Sequence, residues 1–383
     1  MATGMRTTLT DTTAQKRVVA DIVTMLDPRD IPLISMVGLN NESKFRFVNT
    51  PGTKYEWIED TLSPTADQLA EALDATETGV DVDNGAYFHV GDMIQIDSEY
   101  SWVSAISDDT LTVTRGAAGT TAATHADNTA VYIRYNARLE GADSDNGHTT
   151  EKSAPFNYAQ ILHDEILISG TAQVIQQYGI SDEYNYQLMK KLGGAGGGKG
   201  KKGNAGELML DLERVAFYGK RVLRTSSVAS GCGGLDVFIT TNTAALASAA
   251  LTQKRLEDSI QTAWSYGGKP DCIVCNAWVK RKISSFYAGS IRTERRDDVG
   301  GMVIDTVSTE FGDLDILLDR HCPSGTAYIL QKDKVGYITI RPFDHEELAK
   351  TGDWTKGQAL GEYGFVVENE KAHAIISGIS TSK

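Results

Sequence analysis

The stretch that decides the fold runs from Asn157 to Arg224 and begins NYAQILHDEILISGTAQVI. Apolar residues recur through its first part at spacings that fit a helix, and a second helical pattern, 183–192, follows Gly179. With the continuation beyond Glu207, these patterns predict roughly 40 residues of helix, or about 60 Å. Sustained heptads are absent, so we predict a spine on which other elements pack, not a coiled coil.

The last part of this predicted helix is amphipathic. Leu208, Leu212, Val215 and Ala216 follow the spacing of one helix face. The charged residues take the other faces, namely Glu207, Asp211, Glu213, Arg214, Lys220 and Arg221.

A glycine- and lysine-rich segment, 193–204, interrupts the predicted helix. Gly193–Lys199 fits the spacing of a phosphate-binding loop, but Gly200 stands where Ser or Thr must bind magnesium. This motif and the dinucleotide-binding glycine pattern both require a strand before the loop, and here a helix is predicted. We interpret the segment as a flexible excursion with three exposed lysines. A local contact with phosphates or an acidic neighbour is the alternative.

Composition limits the classes of protein. The 383 residues are enough for two or three domains. The formal net charge of −14 argues against broad electrostatic affinity for nucleic acid. The sequence has no run of about 18 apolar residues, and its start lacks the apolar core of a signal peptide. We therefore expect no membrane span and a protein made and used in a cytoplasm.

Two of the four cysteines, Cys272 and Cys275, have the spacing of a zinc-binding pair. A zinc site needs a second close pair, and Cys232 and Cys322 are isolated. The residues between the first pair, Ile-Val, are also typical of a buried strand. We therefore predict four reduced thiols in the core.

Residues 1–54 are predicted to form an arm. A short helical face, 18–26, is followed by the proline-containing segment Asp27–Pro32 and by apolar residues without an obvious local partner. The arm packs either on its own core or on a neighbouring subunit, and the sequence does not distinguish these. Lys54–Asp60 alternates apolar and charged residues, which predicts a strand.

A separate β-rich unit is predicted at 78–136. Turn residues separate its four predicted strands, which are 93–96, 101–106, 111–115 and 130–133. Short strands with frequent turns are typical of a small barrel or sandwich. Polar, turn-rich sequence at both ends is typical of an inserted domain.

From Gly233 onward helices and strands alternate. Leu256, Ile260, Ala263 and Trp264 predict one helix face, and Asn276 is a candidate cap for the next helix. Strands are predicted at 272–275, 302–304, 314–318, 328–330 and 335–341 and, in the tail, at 364–367 and 374–376. The mixture predicts an α+β domain, and the two tail strands are expected to return to the body of the protein.

No pattern of catalytic residues is present. The seven histidines are scattered, neither H-E-x-x-H nor G-x-S-x-G occurs, and no carboxylate pair stands out. Asp143–Gly147 resembles part of a calcium loop but lacks its later acidic ligands, which favours a turn. We predict no enzyme, no cofactor, and no catalytic or metal-binding residue.

The order of elements resembles that of tailed-phage major capsid proteins with the Hong Kong 97-type fold. The segments that carry the resemblance are Asp27–Pro32, Tyr55–Trp57, Asn157–Ile161, Ile168–Thr171, Glu207–Gly219, Leu348–Asp353 and Val367–Ala372. Two features depart from the simplest family pattern, the interruption at 193–204 and the β-rich unit at 78–136. Where these two features lie on a shell is left open.

The resemblance implies five regions. They are an N-terminal arm at 1–54, an extended loop at 55–150 that carries the β-rich insertion, a peripheral domain at 151–232 with the interrupted spine helix, an axial α+β domain at 233–340, and C-terminal strands at 341–383 that return to the peripheral domain. Because no long segment precedes the arm, a separate scaffolding protein is expected in place of a cleaved scaffold domain.

The resemblance also implies a structural protein that assembles through hexamers and pentamers into an icosahedral head around double-stranded DNA. Expected partners are further copies of the chain, a scaffolding protein, a portal, and decoration or head-completion proteins. Assembly is expected in the bacterial host cytoplasm and the final location in the virion. The net negative charge suggests a shell that does not bind DNA strongly. Lys199, Lys201 and Lys202 are the residues expected to be exceptions.

Two alternatives share parts of this pattern. One is the shell of an encapsulin-like, non-viral compartment. The other is a tail or surface adhesin whose β-rich unit binds carbohydrate, which requires Trp102 and Tyr132 to be exposed. We expect both aromatic residues in a core instead.

Overall fold

The structure, a computed structural model, describes residues 30–39, 52–138, 140–141, 150–175, 177, 180–193, 206–286 and 305–381. Its α-helices are α1 (Pro32–Val37), α2 (Gly170–Val174), α3 (Glu183–Leu192), α4 (Glu207–Tyr218), α5 (Leu235–Phe238), α6 (Gln253–Ser265) and α7 (Ala277–Phe286). Its strands are β1 (Lys54–Glu56), β2 (Ala66–Gln68), β3 (Gly79–Asp81), β4 (Asp92–Ile96), β5 (Glu99–Ser107), β6 (Thr110–Thr114), β7 (Ala130–Asn136), β8 (Phe156–Tyr158), β9 (Gln160–Ser169), β10 (Thr243–Ala245), β11 (Cys272–Cys275), β12 (Asp305–Thr309), β13 (Gly312–Leu318), β14 (Ala327–Leu330), β15 (Val335–Leu348), β16 (Trp354–Val367) and β17 (Ala374–Ser377). The predicted α+β class is confirmed. Within these residues, no helix has the length and apolar character needed to cross a membrane.

The helix predicted at the start of the 157–224 stretch is wrong, because β8 and β9 occupy that part of the chain. Leu162, Ile166 and Ile168 are buried while Ile161 and Leu167 are exposed, which is the two-residue alternation of a strand. Apolar runs this short fit helical and strand periods alike. Antiparallel pairing with the distant β16 along the whole of β9 decides between them.

The helical part of the stretch is shorter than predicted, with 10 residues in α3 and 12 in α4. α3 ends at Gly193, and α4 begins after Gly206. A Cβ atom added to Gly206 would lie 2.3 Å from the carbonyl oxygen of Lys191, so the end of α3 touches the start of α4. Lys191 also pairs with Glu207 at 3.0 Å. The predicted interruption is therefore present, and its residues 194–205, with Lys199, Lys201 and Lys202, lie outside the described residues.

The chain divides into two compact units, the first made of Met1–Trp57 and Pro155–Lys383 and the second of Ile58–Ala154. The first unit contains a three-stranded sheet with the order β15-β16-β9 and a six-stranded sheet with the order β10-β17-β14-β11-β13-β12. β1 and β8 form a separate antiparallel pair. The six-stranded sheet is mixed, because β11 is parallel to β13 but antiparallel to β14.

Helix α6 buries the apolar face that its sequence predicts, with one exception. Leu256, Ile260 and Ala263 of α6 are fully buried, whereas Trp264 is 53% exposed. Trp264 lies at the edge of the buried stripe, where its ring packs on Phe311 with 5.8 Å between ring centroids. The predicted cap of α7 is confirmed, because Asn276 accepts a hydrogen bond from the backbone N–H of Val279 at 3.0 Å.

The two tail strands join different sheets. β16 lies between β15 and β9, whereas β17 lies between β10 and β14 in the six-stranded sheet. The expectation that both strands return to 151–232 is therefore wrong for β17. Ala374, Ile375 and Ile376 are all buried, as in a strand covered on both faces. The strand predicted at 302–304 lies outside the described residues.

The second unit is a small β-barrel. Its strand order is β2-β7-β4-β5-β6-β3, and a bridge between Leu69 and Val82 links the two ends of this order. The four predicted strands correspond to β4, β5, β6 and β7. β2 lies before residue 78, where the unit was predicted to start. The sequence did not predict this strand, because three residues are too few to show a period. Tyr132 is 41% exposed and Trp102 is half-buried, so the expectation that both lie in a core is wrong.

Helix α1 packs on the core of the first unit. Leu33 is fully buried, and Ile34 and Val37 are nearly so. The arm was expected to pack either on its own core or on a neighbouring subunit. Residues 32–37 pack on the core of their own chain. The helical face predicted at 18–26 lies outside the described residues.

Candidate functional site

The four cysteines are free and buried, as predicted. Cys272 and Cys275 are three positions apart on β11, so their side chains enter opposite faces of the sheet and belong to different core clusters. Burial raises the pKa of Cys232 to about 11 and that of Cys275 to about 12. The described residues contain no group of three or more His, Cys, Asp or Glu side chains placed to hold a metal ion. The thiols therefore act as apolar core residues.

Two histidines, the buried His373 and the partly buried His345, make structural contacts. His373 accepts a hydrogen bond from the backbone N–H of Gln331 at 3.2 Å, and burial lowers its pKa to about 4. His345 and the Tyr184 hydroxyl are joined by a hydrogen bond of 2.7 Å. The calcium-like segment Asp143–Gly147 lies outside the described residues.

Tyr55 and Asn157, both quoted above for the family resemblance, meet at one junction. The Tyr55 hydroxyl donates to the Phe365 carbonyl at 2.9 Å and accepts from the Phe365 backbone N–H at 2.8 Å. Asn157 donates from Nδ2 to the carbonyls of Phe365 at 2.7 Å and Gly233 at 3.0 Å. Its Oδ1 accepts from the backbone N–H of Gly233 at 2.8 Å. These two fully buried polar residues thus join four distant segments of the chain.

Glu213 is a structural residue that the sequence did not identify. The charge pattern placed it on a polar face of the helix, but its side chain is fully buried. One carboxylate oxygen accepts from the backbone N–H of Leu33 at 2.7 Å, and the other accepts from that of Ile34 at 2.9 Å. On the helix, Glu213 lies beside Leu212 and Ala216, two residues of the predicted apolar face, and both are buried. This position next to the apolar face is the sequence signal that could have identified Glu213.

A second buried carboxyl, that of Asp319, lies beside Glu213. Burial raises the pKa of Glu213 well above its ordinary value, and the negative charge of Asp319 raises it further. Burial also raises the pKa of Asp319, whose Oδ1 accepts from the backbone N–H of His321 at 2.7 Å. Two acids so close in a water-poor core favour a shared proton over two negative charges. Glu213 of this pair anchors α1 to α4, and both carboxyl groups are buried.

Exposed apolar side chains mark a candidate contact surface on the first unit. They border a groove of about 730 Å³ beside α2 and α3, where Leu167 is 56% and Trp354 39% exposed. Glu183, Gln187 and Lys191 supply polar groups to the same groove. An apolar surface bordered by polar residues is typical of a site of protein contact. The sequence did not reveal this groove because β9 was assigned to a helix.

In the second unit, the buried ion pair of Glu99 and Arg115 fixes the segment of chain that connects β6 to β7. Glu99 accepts from Nε of Arg115 at 2.6 Å and from its terminal nitrogen at 2.7 Å. It also accepts from the backbone N–H of Ala123 at 3.0 Å and lies 3.1 Å from Nε2 of His125. Although burial opposes ionisation, the hydrogen bonds from Arg115, Ala123 and His125 hold the pKa of Glu99 well below its ordinary value.

The acidic charge of the chain is concentrated in the second unit. Residues 58–154 contain 18 Asp and Glu against 4 Lys and Arg, a net charge of −14. Since the whole chain has 51 acidic and 37 basic residues, 33 of each remain elsewhere, and the rest of the chain is neutral. The net negative charge that repels a polyanion is therefore carried by the second unit.

The chain matches the family model described as SU10 major capsid protein over residues 6–380. No curated protein matches it in sequence. Among solved structures it is similar to the capsid asymmetric unit of cyanophage A-1(L), with 11% identity, a TM-score of 0.57, and coverage of 98% of this chain and 100% of that chain. It is also similar to the capsid of the native GTA particle, with 8% identity, a TM-score of 0.50, and coverage of 98% and 100%.

A third likeness is to the holo-SrpI encapsulin complex from Synechococcus elongatus PCC 7942. It has 8% identity and a TM-score of 0.40, and it covers 60% of this chain and 78% of that chain. This overlap is too small to favour a compartment shell. The two likenesses of higher TM-score show the fold that the sequence resemblance implied, the Hong Kong 97-type fold.

Proposed function

The chain belongs to the SU10 major capsid protein family, and from this premise we propose how it builds a phage head. It is a structural protein of the capsid shell. We propose that its copies assemble through hexamers and pentamers into an icosahedral head around double-stranded DNA. The family match over residues 6–380 is the observation that carries this proposal.

Contacts between copies are proposed to use two kinds of surface on the first unit. The groove with Leu167 and Trp354 offers apolar area. Strands β10 and β12, which end the six-stranded sheet within the described residues, offer backbone groups for strand addition. Each contact can be weak, because no copy leaves a closed shell without breaking several of them. Closed symmetry then limits growth.

Within the shell, the regions implied by the family resemblance are proposed as functional parts. Residues 1–54 are the arm, 55–150 the extended loop with its insertion, 151–232 the peripheral domain, and 233–340 the axial domain. The tail at 341–383 is proposed to belong to both domains, since β16 joins one sheet and β17 the other.

The distribution of charge supports a location for the insertion. Residues 58–154 carry the net charge of −14, so packaged DNA repels them. The rest of the chain is neutral and neither attracts nor repels DNA over long range. We therefore place the insertion on the side of the shell that faces away from DNA.

Further partners follow from the same role. We propose a scaffolding protein, a portal and decoration or head-completion proteins as partners, with assembly in the host cytoplasm. The role is structural and needs no enzyme activity.

Electron microscopy of the purified chain, at rising protein and salt concentration, tests the proposal. Closed shells, tubes or hexagonal sheets support it, and density for the insertion shows which side it occupies. If the chain stays monomeric at every concentration, the experiment is repeated with a scaffolding protein encoded beside it. Failure in both conditions overturns self-assembly.

A further inference from the structure

The outer face of the barrel in the second unit carries a group of aromatic side chains. Two rows of residues cross β7, β4 and β5 on this face, and they are Tyr132, Gln95 and Tyr100 in one row and Tyr135, Met93 and Trp102 in the next. Directly opposed residues of neighbouring strands share a face of the sheet. The four rings therefore lie on one surface, which we call the aromatic face.

The most exposed part of the aromatic face is organised around an arginine. Tyr132 and Tyr135 are 41% and 52% exposed. The Arg134 guanidinium lies 4.6 Å from the centroid of the Tyr132 ring, and its Nε donates to Oε1 of Gln95 at 2.7 Å. Within the described part of the chain, the terminal nitrogens of Arg134 make no hydrogen bond. The stacking of Arg134 on Tyr132 thus holds an aromatic ring beside hydrogen-bond donors that remain available to a ligand.

Charge restricts what can occupy the aromatic face. None of its residues is acidic, although the unit around it has a net charge of −14. That charge repels a polyanion and equally repels the same unit of another copy. A neutral ligand has no such cost. Tyrosine and tryptophan rings present large flat apolar surfaces, while Arg134 and Gln95 can bond hydroxyl groups.

We propose that the aromatic face binds neutral carbohydrate. The rings stack on the apolar faces of the sugar rings, and Arg134 and Gln95 bind their hydroxyls. The proposal does not depend on shell assembly, because one chain contains the whole surface.

Titration of the full-length chain with three uncharged probes, maltohexaose, cellohexaose and chitohexaose, tests the proposal by calorimetry. We expect at least one probe to bind. Tyr132→Ala and Tyr135→Ala should each weaken that binding about three- to tenfold, the range that one aromatic contact contributes. Tyr132→Phe keeps the ring and should retain most of the affinity. Tyr218→Ala and Tyr266→Ala, which alter exposed tyrosines of the first unit, should leave binding unchanged.

Two outcomes overturn the proposal. One is that none of the three probes binds; if Tyr132→Ala and Tyr135→Ala then also lose self-association, the aromatic face is a contact between copies. The other is that a probe binds but Tyr132→Ala and Tyr135→Ala bind it as tightly as the unaltered chain does.

Discussion

The carboxylate of Glu213 accepts a hydrogen bond of 2.7 Å from the backbone N–H of Leu33, a residue 180 positions earlier in the chain. Its other oxygen accepts from Ile34 at 2.9 Å. The residue at the cap position of α1, Ile31, supplies no side-chain acceptor. Glu213 therefore caps α1 from α4 and satisfies two N–H groups that a helix start leaves free.

Glu213→Gln should destabilise the chain by about 1–3 kcal/mol, because an amide keeps one acceptor and turns a donor towards a buried N–H. Urea unfolding of the unassembled chain measures this loss. Asp211→Asn, at an exposed position of the same helix, is the matched control and should change stability far less. Equal effects of the two substitutions would contradict the assigned cap.

Asp319→Asn should reduce the pH dependence of stability. The folded pKa values of Glu213 and Asp319 are raised above the ordinary 4.5 and 3.8, so the folded state keeps protons that the unfolded state has lost. The pair's stabilising contribution is therefore present below those ordinary values and is lost as pH rises through the folded pKa values. Urea midpoints measured from about pH 4.5 upward should fall more steeply for the unaltered chain than for Asp319→Asn. Parallel curves would exclude a coupled pair.

Arg115→Met should lower the free energy of unfolding of the second unit by about 3–5 kcal/mol, because it leaves the carboxylate of Glu99 buried without its cation. Hydrogen exchange of amides in β4–β7 reports this unit separately from the first. Arg134→Met removes an exposed arginine from the same unit and serves as the control. Similar exchange rates in the two variants would show that the buried pair adds no stability.

Gly206→Ala should destabilise the contact between α3 and α4 by about 1–3 kcal/mol, since the new methyl group meets backbone atoms of Lys191 and Leu192 at 2.3 Å. Thermal unfolding measures the loss. Gly79→Ala, whose added Cβ comes no closer than 3.7 Å to its neighbours, should be nearly neutral. A neutral Gly206→Ala would mean that α3 and α4 do not meet end to start.

Local patterns predicted the elements whose partners are near in sequence. Short apolar segments separated by turn residues located β4 to β7. Among these strands, β5 pairs with both of its chain neighbours, β4 and β6, while β7 pairs with β4. Asn276 was recognised as a cap because a helix start depends on a few adjacent residues. The short apolar runs of β9 fit two periods, and only β16, far along the chain, makes them a strand. Glu213 was misplaced for the same reason, since its partners lie at Leu33 and Ile34.

The sequence by itself determined the α+β class, the β-rich insertion, the burial of the thiols and the resemblance to phage capsid proteins. Composition, short-range periodicity and motif order carry these properties. Only the tertiary structure decided that Gln160–Ser169 is a strand, that Glu213 caps α1, and that Tyr132 and Tyr135 of the aromatic face are exposed. The physical reason is that hydrogen-bond pairing and burial depend on residues far apart in the chain, whose meeting no local pattern specifies.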